Sequence, residues 1–256
     1  MARSFDNFAE STNVDHKCMC RLTAVPLLLT LLVAGCTRPD SRNDARNADV
    51  REATPPARPP ETAAQQDPRP IIVAFGDSLS EGLGAEPGKS YPDFLQKALD
   101  QGGYGYRVVN LGISGDTTTG GLSRIDTITA LKPEIVILEL GGNDGLRGVP
   151  VSATRQNLDQ IVRKLQSAGV RKIVLAGMSL PPNYGDQYIR EFEAIYRDLT
   201  ARYKLTLIPF LFEDIRPQLA AHPDLIQQDG IHPTAEGNRI IAGTVLRYMQ
   251  PVLKKS

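Results

Sequence analysis

Short runs made almost wholly of apolar residues recur along the second part of the chain: Ile71–Phe75, Val108–Leu111, Ile135–Leu140 and Ile173–Ala176. A strand with one face in water alternates apolar and polar positions. Runs that do not alternate suit strands covered on both faces, and hence a parallel sheet. Thr206–Ile208 predicts a fifth, shorter strand ended by Pro209. Between the runs, apolar positions return at helical spacing. Leu158, Ile161, Val162 and Leu165 do so behind a Ser152 cap, as do Tyr188, Phe192, Ile195, Tyr196, Leu199 and Tyr203. A last helix is expected over 235–254. Strands alternating with helices predict a three-layer α/β/α domain over 70–256, about 185 residues and long enough to bury one core.

The chain ahead of residue 70 has a different texture. Leu22–Ala34 carries no charge over thirteen residues and follows Lys17 and Arg21. It is too short to span a bilayer, which takes ~20 apolar residues, but has the length of a signal-peptide core. The alternative is a buried helix ending at Gly35. Against it, Thr37–Arg69 offers nothing to pack on: it is rich in Pro, Ala, Arg, Asp and Gln, and Val50 is its only large aliphatic residue. Such a stretch cannot bury enough surface to offset the entropy of ordering, so residues 37–69 read as a disordered tether. Its prolines stiffen it in part, and fully extended it reaches roughly 100 Å. Val33-Ala34-Gly35-Cys36 resembles the bacterial lipoprotein box, in which the cysteine takes a diacylglycerol and becomes the new N-terminus. The resemblance implies a signal region over 1–36, a lipid on Cys36 and an exported protein. Its domain would be held at a membrane and face the periplasm or the cell exterior. Asp6, Glu10 and Asp15 are unusual in the leading part of a signal, and Met19 is an alternative start.

Charge and cysteine content narrow the chemistry. Lys and Arg number 29, against 29 Asp and Glu, so the chain offers no basic field for nucleic acid and no acidic field for a basic partner. Cys18, Cys20 and Cys36 are the only cysteines and all precede the domain. Disulfides, thiolate metal sites and cysteine nucleophiles are thereby excluded from it.

In open parallel sheets, sites form beyond the carboxyl ends of the strands, so the loops that follow the runs carry the candidate chemistry. Gly76-Asp77-Ser78-Leu79-Ser80 follows the first run and puts a serine on a tight strand-to-helix turn, near free backbone N–H groups. An ordinary helix cap reads equally well there. The string is not the Gly-x-Ser-x-Gly elbow, because Ser80 stands at the second glycine. After the second run, Gly112 can let substrate approach the backbone. After the third, Gly141-Gly142-Asn143-Asp144-Gly145 offers the Asn143 amide as an oxyanion donor. Turn chemistry alone also accounts for both. Near the end, Gln228-Asp229-Gly230-Ile231-His232-Pro233 places a carboxylate three residues before a histidine, where it can fix the imidazole tautomer. A solvated loop pair is the alternative. His16 lies in the export region and His222 precedes Pro223, which leaves His232 as the natural general base.

Taken together, Ser78, Gly112, Asn143 and His232 fall after successive strands, and in this the chain resembles the SGNH hydrolases, the GDSL esterase superfamily. The similarity is strongest to the branch of periplasmic arylesterases, acyl-CoA thioesterases and lysophospholipases. Its most specific pieces are Ile113-Ser114-Gly115-Asp116-Thr117, the run from Leu138 to Gly148, and Leu180-Pro181-Pro182-Asn183-Tyr184-Gly185. The resemblance implies a five-stranded parallel sheet of flavodoxin-like order and a serine hydrolase acting on acyl esters or thioesters through an acyl-enzyme. Ser78 would be the nucleophile, His232 the base and Asp229 its orienting partner. The Ser78 and Gly112 N–H groups and the Asn143 side chain would form the oxyanion hole. Neither metal nor organic cofactor is implied. A carbohydrate acetyl-esterase on the same site, and a lipoprotein that only binds or scaffolds, are the two competing expectations.

Overall fold

A computed structural model describes residues 67–255; residues 1–66, including Cys36 and most of the expected tether, lie outside the described part. Five strands form one sheet: β1 (Ile71–Gly76), β2 (Arg107–Asn110), β3 (Ile135–Glu139), β4 (Lys172–Ala176) and β5 (Thr206–Ile208). Their order is β2-β1-β3-β4-β5 and every pairing is parallel. This is the flavodoxin-like order, which reverses direction at β1 and β3 and opens a crevice beyond their carboxyl ends.

The apolar runs become strands for the expected reason. Ile72–Phe75, Ile135–Leu138 and Val174–Ala176 have almost no exposed surface, and each large aliphatic side chain so buried contributes about 1.5–3 kcal/mol. The edge strands β2 and β5 are only partly buried and are the shortest, at 4 and 3 residues. Helices cover both faces. α2 (Tyr91–Gln101) packs on α8 (Ala235–Met249), while α6 (Val151–Ser167) packs on α3 (Thr118–Ser123), α4 (Ile125–Ala130) and α7 (Asp186–Tyr203). Two short helices, α1 (Ser78–Glu81) and α5 (Gly142–Leu146), follow β1 and β3 directly.

Two helix ends depart from the sequence expectation. Ser152 is not the cap of α6: Pro150 is, with no side-chain cap bond, and Ser152 lies within the first turn. Proline has no N–H to lose and a φ fixed near the value that starting a helix requires. The last helix stops at Met249, and a single 3-10 turn over Gln250–Val252 follows, because Pro251 cannot continue the α-helical hydrogen bonding. At the other end, Arg69, expected in the tether, bonds Asp67 and reaches Asp100 on α2 at 3.0 Å.

Candidate active site

The turn after β1 is built around Asp77. It caps α1, with its Oδ1 accepting from the Leu79 N–H at 3.1 Å. Ser78 is thus the first residue of α1, where no carbonyl of the preceding turn can take its N–H. Ser78 lines a cavity of about 430 Å³, walled mainly by apolar groups that include Leu146, Met178, Leu180, Phe210 and Phe212. Asn143 and His232 line the same cavity.

His232 reaches the site on the loop before α8. Asp229 folds that loop around itself: its Oδ1 accepts the backbone N–H groups of Ile231 and His232 at 2.9 and 3.0 Å, and Gly230 takes the left-handed φ of 72° that the tight reversal requires. Asp229 Oδ2 lies 2.6 Å from His232 Nδ1, and His232 Nε2 lies 2.9 Å from Ser78 Oγ. The bonds from the His232 ring and the two backbone N–H groups hold the Asp229 carboxyl down at about 2, so it is ionised at neutral pH. Gln227, which the sequence reading passed over, fastens this loop to the one after α1. Its Nε2 donates to the carbonyls of Leu83 at 2.7 Å and Pro233 at 2.9 Å, and its own N–H donates to His232 O at 2.8 Å.

The other two expected residues flank the turn. Asn143, on α5, donates from Nδ2 to Asp77 Oδ2 and to the Asp116 carbonyl, both at 3.0 Å. Gly112 lies against the backbone of α1, where a Cβ would collide with Glu81 N and lie 2.7 Å from the Ser80 carbonyl carbon. Its N–H donates to Asn110 Oδ1 at 2.9 Å, and the residue is not among those that wall the cavity. Of the three candidate oxyanion donors, Gly112 and Asn143 therefore already hold protein acceptors.

Two groups, one half-buried and one fully buried, support the turn from behind, and neither was singled out from sequence. Arg124 stacks over the Phe75 ring and forks to the carbonyls of Leu111 and Gly76 at 2.7 and 2.8 Å, while its Nε pairs with Asp116 at 2.7 Å. Glu139 is 0% exposed, and its Oε2 accepts from Asp77 N–H at 3.2 Å and Ser80 Oγ at 2.8 Å. Burial pushes the Asp77 carboxyl up to about 6. Burial first, and then the neighbouring Asp77 charge, push Glu139 well above the ordinary carboxylate range. Among the described residues no group of three or more His, Cys, Asp and Glu side chains is arranged to hold a metal ion.

A serine hydroxyl, an imidazole and an ionised carboxylate in hydrogen-bonded line beside an apolar cavity form an arrangement suited to acyl transfer. Comparison with known proteins agrees. Esterase TesA of Pseudomonas aeruginosa is 40% identical over 190 residues, covering 74% of this chain and 92% of that protein. Thioesterase 1/protease 1/lysophospholipase L1 of Escherichia coli K12 is 35% identical over 183 residues, with coverages of 71% and 84%. The crystal structure of AlinE4, an SGNH-hydrolase family esterase, superposes with a TM-score of 0.59 at 43% identity, covering 73% of this chain and 97% of that one. The family described as GDSL-like Lipase/Acylhydrolase matches residues 74–240. The chain belongs to that family, the GDSL or SGNH hydrolases, and is a carboxylic ester hydrolase of esterase and thioesterase kinship.

Proposed function

We propose that the protein hydrolyses acyl esters and thioesters with Ser78 as nucleophile, His232 as general base and Asp229 as the group that orients and charge-balances the imidazole. Ser78 Oγ attacks the carbonyl carbon while His232 Nε2 takes its proton. The leaving alcohol or thiol then receives that proton, and water repeats the sequence on the acyl-enzyme. The oxyanion is held by the Ser78 N–H, by Asn143 Nδ2 and by the Gly112 N–H, which must turn from Asn110 Oδ1 to reach it. The observation that carries this reading is the continuous line from Asp229 through His232 to Ser78, at 2.6 and 2.9 Å, opening on an apolar cavity. The apolar walls favour an acyl chain longer than acetyl. They speak against a carbohydrate acetyl-esterase, which would show as turnover confined to acetyl sugars.

Labelling by a fluorophosphonate probe tests the nucleophile directly. Ser78→Ala is expected to lose labelling entirely and to lower p-nitrophenyl butyrate turnover ~10⁴-fold or more, with the fold kept. Near wild-type turnover would overturn the assignment.

The location belongs to the same proposal. Cys36 carries a diacylglycerol, the stretch from Thr37 up to the docked Asp67–Arg69 segment forms the tether, and the hydrolase domain faces the periplasm or the exterior. The support is the thirteen-residue apolar run of Leu22–Ala34 followed by Gly35-Cys36. Among the described residues no helix is long and apolar enough to cross a membrane. Wild type should partition into the detergent phase of Triton X-114 and Cys36→Ser into the aqueous phase. Equal partitioning of the two would remove the anchor.

A further inference from the structure

Glu139 takes no part in the mechanism above, yet it is fully enclosed close to Ser78. It ends β3 opposite Gly76, in register with the last residue of β1, and its carboxyl therefore lies directly behind the nucleophile turn. Its Oε2 gathers two donors that bracket Ser78: the backbone N–H of Asp77, just before it, and the hydroxyl of Ser80, two residues after it. Ser80 is in turn 3.0 Å from the hydroxyl of the fully buried Tyr91. There is no slack in this packing. A Cβ at Gly76 would collide with both Ser80 Oγ and Glu139 Oε2. From the turn the bonding continues forward, because Asp77 Oδ2 accepts from Asn143 Nδ2 at 3.0 Å.

We propose that Glu139 is a positioning residue: a buried strut that sets the nucleophile turn and, through Asp77, the amide of Asn143. The proposal rests on the reading of Ser78 as nucleophile. A carboxyl oxygen suits the task because one acceptor atom takes two donors at once, one from the backbone before Ser78 and one from the side chain after it. Buried polar groups partnered in this way fix a geometry that apolar packing would leave adjustable. Misplacement of reacting groups by about 1 Å costs up to ~10²-fold in rate, even when it originates away from the chemistry.

The test compares Glu139→Gln and Glu139→Met in the full chain, with active sites titrated by fluorophosphonate so that rates are counted per folded enzyme. Glutamine keeps a carbonyl oxygen to accept from Asp77 and Ser80, and methionine keeps bulk without an acceptor. Glu139→Met should lower kcat ~10–100-fold with KM little changed, and Glu139→Gln should restore most of the rate. A group that merely stabilised the fold would shift the melting temperature and leave kcat per titrated site unchanged. That result, or a Gln variant as slow as the Met variant, would overturn the proposal. Where Glu139→Met does not fold, Ser80→Ala decides, since it cuts one of the two bonds to Oε2: a several-fold fall in kcat supports the strut and an unchanged kcat refutes it. Labelling that persists in Ser78→Ala would instead refute the nucleophile assignment, whatever the Glu139 variants do.

Discussion

Asn143 spends both amide hydrogens on the protein itself, one on Asp77 Oδ2 and one on the Asp116 carbonyl. An oxyanion can draw on this amide only by sharing or displacing one of those acceptors. A neutral carbonyl competes weakly for such a donor, and a developing negative charge competes strongly. The contribution of Asn143 should therefore appear in the transition state and hardly at all in the ground state. Asn143→Ala is expected to lower kcat by ~10²–10³-fold with a much smaller change in KM. Steady-state kinetics on a soluble p-nitrophenyl ester checks this, and an effect confined to KM would make Asn143 a ground-state binding residue.

At the scale of the elements, the site depends on three strand ends held level. Arg124 does this for β1 and β2: one guanidinium bonds Gly76 O, Leu111 O and the Asp116 carboxylate, with Phe75 beneath it. The planar fork is the point, and a lysine ammonium cannot reproduce it. Arg124→Ala leaves the mostly buried Asp116 unpaired and should destabilise the domain by about 3 kcal/mol, measured by urea unfolding. Arg124→Lys should recover only part of that. Nothing in the sequence pointed to Arg124, because an isolated arginine in a helical stretch reads as a solvated face. The same limit hid Glu139, which interrupts an apolar run by one residue, and Gln227, which lies in a loop. By contrast β1, β3 and β4 were legible because burial on both faces removes alternation, and β5 because Pro209 ends it. Asp229 and His232 were legible because they share one loop. Their alignment with Ser78, 154 positions away, was visible only through the family resemblance. The capping box of α2, Ser90 with Asp93, and the apolar stripe of Tyr91, Leu95 and Leu99 behind it were readable in principle and were missed.

For the whole molecule, the carboxyls divide into two groups with opposite response to acid. Asp77 is raised to about 6 by burial, and Glu139 is raised with it. As pH falls from 6 toward 4 the folded chain takes up protons at these sites that the unfolded chain does not, so they favour the fold on acidification. Asp229 and Asp67 are lowered to about 2 by their hydrogen bonds, and Asp214 is lowered by Thr244. Below pH about 4 the unfolded chain is the one that takes up protons there, and stability falls. The melting temperature followed by circular dichroism should thus hold level or rise between about pH 7 and 4.5 and drop below 4; a steady decline starting at pH 6 would contradict this account. The sheet's polarity has one more consequence. The chain enters the domain at Arg69, just ahead of the amino end of β1, and leaves it near Lys254, whose Nζ lies 3.4 Å from Glu134 just before β3. Both points are on the edge opposite the loops that carry Ser78, Asn143 and His232. The domain's points of entry and exit thus share its back. A bead, a fusion partner or a solid support joined at either end leaves the mouth facing the bulk phase, and the immobilised enzyme should meet dissolved substrate as freely as the unattached one.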